Sequence, residues 1–219
     1  MSSVATRRSP KLDKKQAVDT ALRLLNDVGL DGLTLRAIAK ELDVQAPALY
    51  WHFKNKQELL DEMATEMYRR MVAGQRIPPD ATWQERLTIA NTGLRAALLG
   101  YRDGAKVYSG SRFTGTEHAV RMEENLRAFV EAGFELGQAV RALTTSYFFT
   151  LGFVTEEQGV EPLPGDRREG YDPDERAARM AEFPLAAAAG AALFQDFSAG
   201  FEESLRLLVT GIEARYGIS

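Results

Sequence analysis

QAPALYWHFKNKQELLD, residues 45–61, sets Tyr50, Trp51 and His52 side by side on a short helix, with Lys54 and Lys56 directly after. At about 100° per residue, Leu49 and Phe53 fall together and form an inward face. Pro47, Tyr50, Trp51 and Lys54 fall on the opposite side, with Ala48 beside them. Two large aromatics therefore point away from the only core that a small trihelical unit can build. Upstream, Thr34 is a natural N-cap, and Leu35, Ile38, Ala39 and Leu42 form an apolar stripe that ends at a short turn around Asp43. Two helices of these lengths around such a turn predict a helix-turn-helix, whose second helix enters a major groove.

Each outward residue suits that task. Pro47 and Ala48 offer apolar contact to thymine methyls, and Arg36 can reach a base edge or a phosphate. The Tyr50 hydroxyl can meet a phosphate, and Trp51 and His52 can donate to the nucleic-acid backbone. Lys56 adds its charge at the start of the next helix, where the helix dipole also favours phosphate. The competing reading packs Tyr50 and Trp51 against the C-terminal half or another protein. Burial of Trp51 would favour it.

Charge distribution supports the groove reading. The net charge is −4, but residues 1–57 hold ten Lys/Arg against six Asp/Glu, and the remainder holds seventeen against twenty-five. A basic arm carries Arg7, Arg8, Lys11, Lys14 and Lys15 with Asp13 as its one acid. Halves of opposite sign suggest that one end meets a polyanion. There is no cysteine, so neither a disulfide frame nor a thiolate metal site is expected. No signal-like leader or membrane-length apolar run is evident, which predicts a cytoplasmic protein without membrane contact.

The rest of the 219 residues also reads as helix, so the predicted fold class is all-α. Asp13 and Gln16 have capping-box spacing before a helix that ends near Gly29, and Asn55 and Glu58 have it before a long helix to Gly74. Pro78-Pro79-Asp80 is a break, and Thr82 with Glu85 caps the next helix. Further helices are expected over 105–112, from about 114 or 116 to Gly133, over 136–157, from Asp172-Pro173, and over 198–215. Residues 159–171 are predicted to be a loop. An N-terminal DNA-binding unit over 1–56 and a ligand-binding and dimerisation unit over 57–219 follow. An all-helical enzyme is the alternative class, but HExxH, GxSxG and phosphate-loop patterns are missing and the chain has two histidines, His52 and His118. No catalytic residue, metal ligand or cofactor is predicted.

GLDGLTLRAIAKELDVQAPALYWHFKNKQELLD, residues 29–61, resembles the DNA-binding region of the tetracycline-repressor (TetR) family. YRDGAKV at 101–107 and FFTLGFVTEEQ at 148–158 resemble that family's tetracycline-repressor branch. The resemblance implies an all-helical homodimer joined by helices near 136–157 and 198–215, a double-stranded DNA operator of two-fold symmetry, and a small-molecule effector. It places DNA contacts at Arg36, Gln45, Ala46, Pro47, Ala48, Tyr50, Trp51, His52 and Lys56. Ala46 replaces a polar base-reading residue, so a different operator is implied.

The effector site departs further. Where that branch holds a drug and magnesium, this chain has Val72, Ala90 and Tyr108, with Phe148 near another histidine position; Glu156 alone keeps a carboxylate. A more apolar, aromatic pocket is expected, walled by Tyr68, Val72, Leu94, Tyr108, Arg112, Phe113, Met122, Phe148, Phe149 and Phe153, with Arg112 or Glu156 able to fix a charged ligand. The predicted mechanism is release from DNA by an effector. The helix from Asn55 to about Ala73 acts as a lever between the core and the groove-reading helix.

Overall fold

The structure, a computed structural model, describes residues 12–218. Eleven helices make up the fold of these residues, and no strand is present among them. Arg7, Arg8 and Lys11 of the basic arm lie outside the described residues.

Three helices form the N-terminal unit: α1 (Lys14–Gly32), α2 (Leu35–Glu41) and α3 (Ala46–Tyr50). The Thr34 hydroxyl caps α2 by accepting from the Ala37 N–H at 3.1 Å. Asp43 takes a left-handed conformation (φ 52°) in the turn between α2 and α3, a position that Asp tolerates better than most residues. The α3 helix ends at Tyr50, with Trp51 as its C-cap.

Two expected capping boxes form only in part. Asp13 accepts from the Lys15 N–H, and the Glu58 carboxylate bonds the Lys54 N–H instead of the Asn55 N–H. Gly29 does not end α1. It kinks it at φ 67°, and helix resumes to Gly32.

The long α4 (Lys56–Gly74) leaves this unit and packs on α1, on α5 (Trp83–Leu99) and on α6 (Gly104–Ser109). The Thr82–Glu85 box at the start of α5 closes in both directions. Beyond α6, α7 (Glu117–Glu131) and α8 (Leu136–Val160) pack on each other and on α5. The chain ends in α9 (Pro173–Arg179), α10 (Pro184–Phe194) and α11 (Phe197–Tyr216). The expected loop therefore begins at residue 161 instead of 159. The helix expected over 105–112 stops at Ser109.

Two apolar cores hold these layers. One runs without interruption from Ala17, Leu25, Ile38, Leu49 and Phe53 through Met63 and Met67 to Leu98, Tyr108 and Val154. The other joins Trp83, Leu87, Phe129, Phe134, Phe201 and Leu205. Buried Gln158 ties α8 to the turn before α6, with Oε1 accepting from the Ala105 N–H at 3.0 Å and Nε2 donating to the Tyr101 carbonyl at 2.7 Å. That turn needs Gly104: a Cβ there would stand 2.2 Å from the Leu98 carbonyl oxygen.

Candidate nucleic-acid interface and effector cavity

On α3, Leu49 and Phe53 are fully buried while Tyr50 is 52% and Trp51 89% exposed. Trp51 does not pack on the C-terminal half of its own chain. Around it, Arg36, Gln45, Pro47 and Lys56 are exposed, and Ala46, Ala48 and His52 are half-buried. The nine expected contact residues thus lie on α2, α3 and the segment leading into α4. Two of them already have protein partners. The His52 Nε2 stands 3.1 Å from the Leu12 carbonyl, and the Lys56 Nζ donates to the Leu30 carbonyl at 2.7 Å. An ammonium has three donors, so one such bond leaves Lys56 able to meet a phosphate. Among the described arm residues, Lys14 pairs with Glu62 and Lys15 with Asp19.

The Leu30 peptide is a junction. Its carbonyl receives Lys56, at the first position of α4, and its N–H donates to the Asp103 Oδ2 at 3.0 Å, directly before α6. A second set of bonds runs from α4 to the loop after α6. Arg112 N–H donates to the buried Asp61 carboxylate at 3.0 Å, and Thr114 N–H donates to the Thr65 hydroxyl at 3.0 Å. That loop carries Phe113 into a cavity.

The cavity has a volume of about 260 Å³ and lies among α4, α5, α6, α7 and α8. Tyr68 and Met71 come from α4, Asn91 and Leu94 from α5, and Tyr108 from α6. His118, Arg121, Met122 and Asn125 come from α7, and Leu143, Thr144, Ser146 and Tyr147 from α8. The Phe113 ring forms an aromatic corner, 4.9 Å from Tyr68, 5.5 Å from Tyr108 and 5.1 Å from His118. Burial pushes the Tyr108, Tyr68 and Tyr147 phenols above the usual tyrosine range, so all three stay protonated near neutral pH. A larger open groove of about 760 Å³ between α4 and α5 shares Met71 and Gln75 with this cavity. It lacks the aromatic corner.

Tyr68, Leu94, Tyr108, Phe113 and Met122 of the expected wall are brought together here. The others are not. Phe148 is 66% exposed, since one residue beyond Tyr147 a helix turns about 100° away. Phe149 stacks on Phe201 at 5.5 Å, and Phe153 also packs on Phe201, both in the second core. Val72 is absent from the wall, where Met71 stands instead. Arg112 and Glu156 are exposed. The buried acid is the neighbour Glu157, paired with Arg95 at side-chain exposures of 8% and 14%. Sequence reasoning missed Asn91, Asn125, Leu143, Ser146 and Tyr147. The spacing of Leu143, Ser146, Tyr147 and Thr150 was the available signal, a helical face with three hydroxyls on it.

Among the described residues, no group of three His, Asp or Glu side chains could hold a metal ion, and no helix is long and apolar enough to cross a membrane. On the outer faces of α8 and α11, Leu136, Val140, Phe148 and Leu207 are exposed.

The chain matches two families. "Bacterial regulatory proteins, tetR family" covers residues 17–63, and "Tetracyclin repressor-like, C-terminal domain" covers residues 77–216. It is 40% identical to the tetracycline repressor protein class A from transposon 1721 of Escherichia coli, over 94% of this chain and 92% of that one. A possible TetR family transcriptional regulator from Streptomyces coelicolor A3(2) superposes with a TM-score of 0.80 at 39% identity, covering 92% and 99% of the two chains. A TetR variant from Acinetobacter baumannii AYE, solved in complex with minocycline, gives a TM-score of 0.71 at 33% identity over 93% and 98%. The helix-turn-helix, the helical cavity domain behind it and these likenesses place the chain in the TetR family of bacterial regulatory proteins.

Proposed function

We propose that the protein is a homodimeric, ligand-responsive repressor that binds a palindromic operator and is released by a small, largely apolar or aromatic effector. The observation that carries this reading is the exposure of Trp51 at 89% beside a fully buried Phe53. A short, well-anchored helix holds out a bulky ring that none of the described residues covers. Residues 1–56 read DNA through Arg36, Gln45, Ala46, Pro47, Ala48, Tyr50, Trp51, His52 and Lys56. Residues 57–219 bind the effector and pair the two copies through α8 and α11, where Phe148 and Leu207 await cover. The protein works in the cytoplasm and acts by binding, without turnover.

Release follows from the bonds around α4. An effector that presses on Phe113 or Tyr108 moves the α6 segment. Asp61 and Thr65 pass that motion to the middle of α4, and Asp103 passes it to Leu30 and so to Lys56. The two recognition helices of a dimer must lie about 34–36 Å apart to enter successive major grooves. A ligand preferring another spacing by about 1.4 kcal/mol weakens operator binding tenfold. Tyr108 and Ala90 on the cavity wall replace the polar ligands expected for a magnesium–drug chelate, so tetracycline is expected to be a poor effector.

Fluorescence anisotropy of the purified protein tests the reading, using duplexes from the DNA flanking its own gene against scrambled duplexes of equal length. Selective binding should weaken linearly in a log–log plot against salt. Equal affinity for both duplexes, or none for either, ends it.

A further inference from the structure

We infer that the cavity takes an uncharged, hydroxylated aromatic molecule and that Asn125 reads its hydroxyl. This deepens the effector reading above and rests on it for the cavity's role. Asn125 is 9% exposed, and its Oδ1 is fully buried without a hydrogen-bond partner among the described residues. A buried amide oxygen without a donor is a standing cost, and such groups in folded proteins nearly always find a partner. Asn125 lines the cavity, so a ligand O–H can provide that donor.

Several other polar groups on the wall are bonded inside the protein. The Asn91 Nδ2 donates to the Leu87 carbonyl, and its Oδ1 accepts from the Thr150 hydroxyl at 2.7 Å. Ser146 and Thr144 donate to backbone carbonyls of their own helix. The Gln75 amide donates to the Ile89 carbonyl. Among the lining residues, the Asn125 Oδ1 is the fully buried acceptor without a partner, while the lining His118 bonds the Gly115 carbonyl through Nδ1 at 3.1 Å. The protonated phenols of Tyr68, Tyr108 and Tyr147 supply donors for further ligand oxygens.

Charge and size narrow the class. No carboxylate lines the cavity, so a cation would enter a site whose charged wall residue is Arg121. Arg121 is itself paired with Glu124 at 3.2 Å, which offsets part of its charge. A charge buried without a partner is costly, which leaves a neutral ligand. About 260 Å³ is just under the ~300 Å³ lower end of ordinary small-molecule sites and suits a molecule of roughly two fused rings. Phe113 and Tyr108 offer ring faces and edges to such a molecule.

Calorimetric titration of the full-length protein tests this with four probes of one shape: β-naphthol, its methyl ether, naphthoate and naphthylmethylammonium. β-Naphthol is expected to bind about tenfold more tightly than the ether. Asn125→Leu should abolish that gap while leaving the affinity for the ether nearly unchanged. Asn125→Ser, a smaller change, should narrow the gap if the leucine variant does not fold. The inference is overturned if no probe binds at about 1 mM, if either charged probe binds more tightly than β-naphthol, or if the naphthol preference survives undiminished in the folded variants. The calorimeter contains no DNA. Asn125-dependent binding without operator selectivity would remove the repressor reading and leave this one standing. Operator selectivity with no naphthol binding would do the reverse.

Discussion

The chain's two tryptophans have opposite fates. Trp51, directly after α3, is 89% exposed; Trp83, the first residue of α5, is 2% exposed. Both sit at helix termini among charged neighbours, and neither position is intrinsically interior. What differs is the layer beyond. The Trp83 ring meets Phe129 at 5.4 Å and Phe134 at 5.1 Å, and Tyr216 closes over Phe134 at 5.7 Å. The α3 helix spends its one inward turn on Leu49, and no element among the described residues covers its other side. Periodicity fixes direction relative to a residue's own helix. Cover is decided by elements distant in sequence, and a ring left uncovered on an anchored helix is available to a partner.

The largest expected effect breaks the buried side of this contrast. Trp83→Ala should lower stability by about 3–5 kcal/mol, read by urea denaturation. Trp83→Phe should be far milder, because the Trp83 Nε1 is buried without a partner among the described residues and its loss removes a cost. A severe loss in the phenylalanine variant would mean that the indole N–H has a role that packing does not explain.

Trp51→Ala should do the opposite. Stability should stay within about 0.5 kcal/mol, while operator affinity in the anisotropy assay falls by about 1–2 kcal/mol, or roughly tenfold. A stability loss of several kcal/mol, with operator binding intact, would show that Trp51 is structural and that the comparison of the two rings is mistaken.

The same logic explains what was legible in the sequence. Helix existence and the caps at Thr34 and Thr82 follow from residues within one turn of each other, and these formed as read. So did the inward Leu49 and Phe53. The cavity wall was half legible, and its misses are instructive. Met71 stands where Val72 was expected, Tyr147 beside Phe148, and Glu157 is buried beside exposed Glu156. Each of these three errors is one residue, or about 100° on a helix. Composition and resemblance locate such a stretch but do not set helix rotation, which depends on how α8 packs against α5, α6, α7 and α11 together. Asn125 carried no local signal. An asparagine on a polar helix reads as solvated until α5 and α8 close over it.

A middle-sized effect sharpens the recognition side. The Thr34 hydroxyl holds the first turn of α2, on which α3 packs. Thr34→Ala should cost about 1 kcal/mol of stability. Operator affinity at saturating fold should change little, because Thr34 touches the frame and not the outward ring. Thr34→Ser should restore the stability. A large affinity loss in a fully folded Thr34→Ala protein would place the recognition surface further along α2 than Arg36.

The smallest expected effect concerns the joint between the two regions. Burial pushes the Asp103 carboxyl up, but the Leu30 N–H and the Lys106 ammonium outweigh it, and the net lies below the usual carboxylate range. A carboxylate with a depressed folded pKa stabilises the fold above its unfolded pKa of about 3.9, and the contribution fades as pH falls through the lower folded value. The site is partly solvated, so the whole effect should stay under about 1 kcal/mol. Asp103→Asn should therefore be slightly less stable than the parent near neutrality, and the difference should close as pH drops below about 4. Urea midpoints taken at stepped pH measure it. A difference that is constant from neutral to acid would mean that the shape of residue 103 in its left-handed turn (φ 57°) holds the joint, and that its charge does not.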